Sequence, residues 1–160
     1  MKRKQKMTFE NFREGVLRAA MNASKDQSAA PDSDWAPQMV LLTSKGDIVV
    51  VDLRSAPTET KDLRGYLKTV FRNLKPLRLA RLMSVWYTNA SPPQINDAFD
   101  IESLPDRKEA VVAFITDLND GKEEFWWAKI NRSEAAPPQL SEFVQIPVDL
   151  FGSHCLQPTA

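Results

Sequence analysis

The stretch from Leu104 to Asn131 decides the fold of this chain, because it holds two apolar runs separated by a glycine turn. The first run is Ala110-Val-Val-Ala-Phe-Ile115 and the second is Phe125-Trp-Trp-Ala-Lys-Ile130, with Asn119-Asp120-Gly121 between them. β-Branched and aromatic residues favour strands, and an Asp-Gly pair can supply the positive φ angles of a tight turn. The segment therefore predicts a β-hairpin.

Flanking segments extend this hairpin into a sheet with helices. Residues 39–42 and 48–53 surround a Ser-Lys-Gly-Asp turn and predict a second hairpin, and residues 79–88 predict a further strand. The runs 48–51 and 110–115 do not alternate, so we expect both faces of these two strands to be at least partly covered. A short apolar segment, 143–151, ends the pattern.

Two segments have the apolar spacing of amphipathic helices. The first follows Thr8, a good N-cap, and the second follows Thr58 and ends at Pro76, which cannot continue a helix. The apolar faces are Phe9, Phe12, Val16, Leu17, Ala20 and Met21 in the first, and Leu63, Tyr66, Leu67, Val70, Phe71 and Leu74 in the second. The predicted order is α-β-β-α-β-β-β, an α+β fold with an antiparallel sheet of about five strands and helices packed on it.

The length and composition of the chain indicate a single domain with balanced charge. The chain has 160 residues, 42% of them hydrophobic, with 21 basic and 21 acidic side chains. We expect a basic flexible tail at 1–7 and a single domain at 8–160, with a linker-like loop at 23–36 and a long loop at 89–106. No stretch reaches the about 18 apolar residues of a membrane span. The basic start is not followed by the apolar region of a signal peptide. The single cysteine cannot form a disulfide within the chain. A cytoplasmic protein without a membrane partner is expected.

The motif Leu104-Pro-Asp-Arg-Lys-Glu-Ala110, preceded by the aromatic strand Val85-Trp86-Tyr87, resembles a group of small bacterial and phage-borne proteins of uncharacterised function. That resemblance implies no functional residues. The element order also resembles roadblock- and longin-type scaffolds, which bind proteins and form dimers through their sheets. This second likeness is one of topology, so it bears on the fold rather than on the site.

Few residues of this chain carry reactive chemistry. The only histidine and cysteine are the neighbours His154 and Cys155, which point to opposite faces of an extended segment and make a poor dyad. The five glycines are isolated, so no phosphate-binding loop is present. The acidic loop at 97–106 lacks the spacing of a calcium site. The sequence therefore predicts no cofactor, no metal and no catalytic residue.

Five residues are candidates for a binding surface. Arg107 and Glu109 lie two apart at a strand entrance, where they either line a pocket or hold the loop to the sheet. Trp126 and Trp127 must point to opposite faces of their strand, and Trp86 lies on another strand. Either the N-terminal helix or the C-terminal segment covers the second face, or a partner or ligand binds there.

The second helix also carries a basic stripe. Its members project within roughly 80° of one another, clear of the apolar face; they are Lys61, Arg64, Lys68, Arg72 and Lys75. Such a stripe is either a solvated helix face or a site for an anion or nucleic acid. Because the net charge is zero and no aromatic residue interrupts the stripe, nucleic acid is the less favoured partner.

The sequence favours a non-enzymatic interaction module that self-associates as a homodimer, with another protein as a further partner. We expect at least one of Trp86, Trp126 and Trp127 near the contact, since five apolar strands present two faces and only two helices are available to cover them. The alternatives are a nucleic-acid or anion-binding accessory protein that uses the basic stripe, and an enzyme with a carboxylate-based pocket.

Overall fold

The computed structural model describes residues 6–24, 35, 37–55, 60–88, 108–146 and 155–158. These residues form two α-helices, a 3₁₀ turn at Leu53–Ser55 and eight strands. The elements in chain order are α1 (Phe9–Ser24), β1 (Gln38–Thr43), β2 (Ile48–Asp52), α2 (Thr60–Leu74), β3 (Pro76–Thr88), β4 (Lys108–Asp117), β5 (Glu123–Ser133), β6 (Ala136–Leu140), β7 (Val144–Ile146) and β8 (Cys155–Pro158).

The predicted α+β class with an antiparallel sheet is confirmed, but the sheet has eight strands where about five were expected. The two helices and the first five strands follow the predicted order, and β6, β7 and β8 come after them. These three strands are three to five residues long and two contain proline, so they lack a readable alternation. Pairing with β5 and β3, rather than local pattern, makes them strands.

The longest strand, β3, organises the sheet. The order is β2-β1-β3-β4-β5-β6, with β7 also on β5 and β8 also on β3, and each pairing is antiparallel. On one side β3 pairs with β4 from Arg78 to Tyr87. On its other side β1 pairs with residues 76–82 and β8 with residues 85–88. Two partners in succession therefore cover one edge of this strand.

Helix α1 covers one face of the sheet. Thr8 caps it as predicted, since its Oγ1 accepts a hydrogen bond from the Asn11 N–H at 3.1 Å. Four of the six predicted apolar positions are buried, and Leu17 and Met21 pack against them half-buried. The sheet contributes residues of β1, β3, β4 and β5 to this cluster, among them Val40, Leu82, Val111 and Ala128.

A second apolar cluster lies on the opposite face, where Val85, Tyr87, Val112, Phe125 and Ile146 are buried. Residues 110–115 alternate between the two clusters, and all of them except half-buried Phe114 are buried. The expectation that this strand is covered on both faces is therefore confirmed.

Residues 48–51 are covered less completely. Ile48 is 48% exposed and Val50 is 59% exposed, while Val49 and Val51 are half-buried. The reason is position: β2 is the end strand of the order, with β1 as its one strand neighbour in the described part of the chain. A continuous apolar run is typical of a central strand, but the sequence does not show which strand ends the sheet.

Helix α2 connects β2 to β3, so the chain must cross β1, which lies between them. It ends before Pro76 as predicted: the Lys75 N–H bonds to the Phe71 carbonyl at 2.9 Å, and Lys75 takes a left-handed φ of 45°. All its predicted apolar residues are half-buried rather than buried. Neither helix in the described residues is both long and apolar enough to cross a membrane.

A buried ion pair ties α1 to the sheet. Arg13 Nη1 lies 2.9 Å from Glu124 Oε1, and Trp126 Nε1 donates to Glu124 Oε2 at 3.1 Å. The Arg13 guanidinium also lies over the Trp126 ring, 5.4 Å from its centroid. The Glu124 side chain is only 7% exposed, so these two donors replace the water that the carboxylate loses on burial.

The turn between β4 and β5 depends on Asp117. Its side chain accepts from the Asn119 N–H at 2.9 Å and from Arg78 Nε at 3.2 Å. Burial alone would raise the pKa of Asp117, but the hydrogen bonds from Asn119 and Arg78 outweigh it and hold that pKa below its usual value. Gly121 has a φ of 75°, whereas Asp120 does not have a positive φ, so only half of the expected Asp-Gly turn geometry is present.

Removal of Arg13 should destabilise the fold more than removal of an exposed arginine. Arg13→Ala leaves the buried Glu124 carboxylate without its cation, and we expect a loss of about 3 kcal/mol in the free energy of unfolding. Arg54→Ala is the control, because Arg54 pairs with Asp52 at 2.7 Å but is 66% exposed. Urea unfolding at one protein concentration measures both; equal losses would contradict the assignment of α1 docking to this pair.

The stabilising effect of Asp117 should depend on pH. Because the folded pKa lies below the unfolded value of about 3.9, the contribution is present above that value and is lost as pH falls through the folded pKa. We therefore expect Asp117→Asn to reduce the free energy of unfolding near neutral pH, with the difference from wild type shrinking below about pH 4. Urea unfolding across this pH range would show it, and a pH-independent difference would contradict it.

Candidate functional site

An apolar cavity of about 270 Å³ lies between α1 and the β1–β2 end of the sheet. We call it the α1–β2 groove and define it by Gly15, Ala19 and Ala23 of α1, Ile48 and Val50 of β2, and Trp35. The two β2 side chains face this cavity because Val50 pairs with Val40, a member of the α1-face cluster, and Ile48 pairs with Leu42. The groove is thus the continuation of the α1 core toward the end of the sheet.

Small residues on α1 leave this space open. Gly15, Ala19 and Ala23 recur every four residues, so they form one line along the helix. A methyl group added at Gly15 would meet no atom within 4 Å. Larger residues on this line would have covered Val50 and Ile48, as Phe12 and Val16 cover the sheet elsewhere. The exposed side chains of β2 therefore result from the residue sizes on α1 as well as from the strand's end position.

Trp35 borders the groove. The side chain is half-buried and packs against the α1-face cluster. Its indole N–H is buried, and the part of the chain that the structure describes offers it no hydrogen-bond acceptor. A buried donor without an acceptor is costly, so this atom adds to the incompleteness of the groove as a packed core.

A second cavity, of about 400 Å³ and polar, lies where β3 ends and β4 begins. Its lining brings together two residues predicted from the sequence, Trp86 and Glu109, which are cross-strand partners. The other lining residues are Tyr87, Lys108, Lys129, Ile130, Asn131 and Arg132.

Glu109 forms its ion pair with Arg132 of β5. Arg132 Nε donates to Glu109 Oε2, and Nη2 donates to Oε1 at 3.1 Å, which is a two-point pair. Arg107, the partner considered from the sequence, lies outside the described residues. Arg132 is 23 residues from Glu109, so no local spacing signals this contact. Both carboxylate oxygens are engaged, and the exposed Lys108 and Lys129 give the rim a positive charge.

The tryptophans occupy opposite faces, as predicted. Trp126 packs with α1 and Arg13, and Trp127 packs with the opposite cluster, where its ring lies 5.0 Å from that of Tyr87. Both are half-buried. Neither lines the two cavities described above. Of the four predicted binding residues that the structure describes, only Trp86 and Glu109 are therefore brought together in a cavity.

The basic stripe of α2 is a solvent-facing surface. Arg64, Lys68, Arg72 and Lys75 are all exposed, and the side chain of Lys61 lies outside the described residues. The acidic loop 97–106 and His154 also lie outside them, as does the side chain of Cys155. Within the described ranges, no three histidine, cysteine, aspartate or glutamate side chains form a cluster.

Sequence reasoning missed the α1–β2 groove. The one available signal was the line of Gly15, Ala19 and Ala23. Small residues outside the apolar face of an amphipathic helix are ordinarily solvent-exposed and do not by themselves indicate a groove. Comparisons with family models, with curated proteins and with solved structures found no match to this chain. The resemblance based on Leu104–Ala110 stays a prediction; residues 104–107 lie outside the described part, and Lys108–Ala110 begin β4.

Proposed function

We propose that this protein is a non-enzymatic interaction module that self-associates through the β2 end of its sheet. The observation that carries the proposal is the exposure of two neighbouring apolar side chains, Val50 at 59% and Ile48 at 48%, beside the apolar α1–β2 groove. Large apolar side chains that are grouped beside a cavity typically mark a binding surface, whereas isolated ones need no explanation.

The two edges of the sheet support this choice. At the far edge, β6 contains Pro137 and Pro138, which have no N–H to offer a further strand, and β7 is only three residues long. The β2 edge has no proline, and Ile-Val-Val-Val fills four of its five positions. Natural sheets protect exposed edges with proline, charge or short strands, so an unprotected apolar edge indicates pairing with another chain.

The polar cavity supports a non-enzymatic function. A general base needs a carboxylate oxygen that is available to accept a proton. Both oxygens of Glu109 accept hydrogen bonds from Arg132, so the carboxylate is held in a two-point ion pair between β4 and β5. The contact therefore fits a structural tie between β4 and β5 better than a catalytic group.

The exposed basic stripe supports one other function, the binding of a nucleic acid or another anion. Three exposed cationic side chains on one face of α2, with exposed Lys75 just beyond the end of the helix, could contact consecutive phosphates. The lack of an interleaved aromatic side chain and the net charge of zero make this the weaker candidate.

Val50→Lys should abolish self-association. We expect the wild type to sediment as a dimer of twice 18.1 kDa at about 100 μM, and the variant as a monomer, because a charge on the edge strand prevents its burial. Val144→Lys is the matched control, since Val144 is 56% exposed on β7, away from the groove. A monomeric wild type would contradict the proposal, as would equal effects of the two substitutions.

The nucleic-acid alternative has its own test. We expect no sub-micromolar binding of a labelled single-stranded oligonucleotide at physiological salt, measured by fluorescence anisotropy. A complex that weakens steeply with salt, and whose salt dependence falls in Lys68→Glu/Arg72→Glu, would replace self-association as the proposed function.

A further inference from the structure

The polar cavity where β3 ends and β4 begins has an excess of positive charge. Its lining has one carboxylate, that of Glu109, and three cations, those of Lys108, Lys129 and Arg132. Glu109 and Arg132 neutralise each other in their two-point pair. Neither lysine forms an ion pair within the part of the chain that the structure describes. Two positive charges of the lining are therefore left without a counterion among the described residues.

The register of the sheet brings these two lysines together on one face. Ala110 pairs with Lys129, so the same register sets Lys108 diagonally across from Lys129. Alternation along the strands places both lysines on the face of Ala110 and Trp127, away from α1. Diagonal neighbours in an antiparallel pair have Cα atoms about 7–8 Å apart. Lysine stems are long and flexible, so both ammonium groups can contact a single anion, which also relieves their mutual repulsion.

The same face supplies neutral hydrogen-bond donors. Tyr87 pairs with Lys108 in the β3–β4 register, lines the cavity and is only 3% exposed. Its hydroxyl makes no hydrogen bond to another described residue. Burial raises the pKa of Tyr87, so the hydroxyl keeps its proton near neutral pH and remains a donor. The exposed Asn131, also in the lining, adds the two N–H groups of its side-chain amide.

We propose that this cavity binds a dianionic oxyanion, the phosphate group of a small phosphorylated molecule. Lys108 and Lys129 supply the charge, and Tyr87 and Asn131 donate hydrogen bonds. The excess of two positive charges matches a phosphate monoester, which carries nearly two negative charges near neutral pH. Glu109 does not repel this ligand strongly, because Arg132 neutralises it.

The cavity has room for more than the phosphate group. Its volume of about 400 Å³ falls in the range of small-molecule sites. Trp86 and Ile130 in the lining offer apolar contact to the rest of the ligand. The cavity lies at residues 86–87 of β3, whereas β1 pairs with residues 76–82 and separates β3 from β2. The site is therefore independent of the proposed self-association.

Titration of the full chain with inorganic phosphate tests the site. At about pH 7.5 and constant low ionic strength, we expect a dissociation constant of about 1 mM. Two-dimensional proton–nitrogen NMR spectra should show shifts confined to the amides of residues 86–87, 108–109 and 129–132. Phenyl phosphate should bind more tightly than inorganic phosphate, because its ring can contact Trp86. Malonate, a dianion with carboxylates only, should bind more weakly than phosphate.

Three variants locate the binding groups. Lys108→Gln/Lys129→Gln removes both charges from the cavity, and we expect the dissociation constant for phosphate to rise at least about tenfold. Lys6→Gln/Lys45→Gln is the matched control, because it removes the same charge from two exposed lysines outside the lining. We expect its effect to stay within about twofold. Tyr87→Phe removes only the hydroxyl and should raise the constant about fivefold.

The outcomes separate this site from general charge attraction and from the proposed function. Confined NMR shifts with a selective loss of affinity in Lys108→Gln/Lys129→Gln support the site, whereas equal losses in the two double variants overturn it. An unchanged constant in Tyr87→Phe overturns the part given to its hydroxyl. Tighter binding of malonate than of phosphate overturns the choice of phosphate. The absence of confined shifts up to about 20 mM phosphate overturns the inference. Self-association, measured by sedimentation, is unaffected by that result.

Discussion

The backbone groups of β3 must be paired along its whole length, because the strand lies inside the sheet, and this constraint organises the molecule. Thirteen residues need partners on two sides. β4 supplies one side, and β1 followed by β8 supplies the other. With β1 beside β3, β2 is pushed to the end of the sheet, and the chain has to cross β1 through α2. The α1 face of β1 and β2 stays open as the groove.

The unequal edges of the sheet follow from this arrangement. The edge beyond β5 is completed by short segments late in the chain, and their prolines prevent further pairing. The β2 edge comes early, in a tight hairpin whose turn at Gly46 requires a φ of 85°. Because α1 carries small residues toward this end, no other described strand pairs with this edge, and Ile48 and Val50 stay about half exposed. The exposed surface is therefore a product of both topology and residue size.

The buried charges of the protein hold its parts together. Glu124 connects α1 to β5 through Arg13, Asp117 closes the β4–β5 turn with Arg78, and Glu109 joins β4 to β5 through Arg132. Each carboxylate meets an arginine and at least two donor groups, as burial of a charge requires. Because these carboxylates are engaged in ion pairs, the exposed apolar surface of β2 beside the α1–β2 groove is the candidate functional site.

The sequence by itself determined the α+β class, both helices, both hairpins and the opposite faces of Trp126 and Trp127, because each depends on residues close together in the chain. The local sequence pattern also predicted Trp86 and Glu109 as candidate site residues. Tertiary structure alone decided the strands β6, β7 and β8, the partner of Glu109, and the exposure of Ile48 and Val50. These features depend on which strands become neighbours. Strand neighbours are chosen by hydrogen bonding between segments far apart in sequence, and an apolar run reads the same at the centre of a sheet as at its edge.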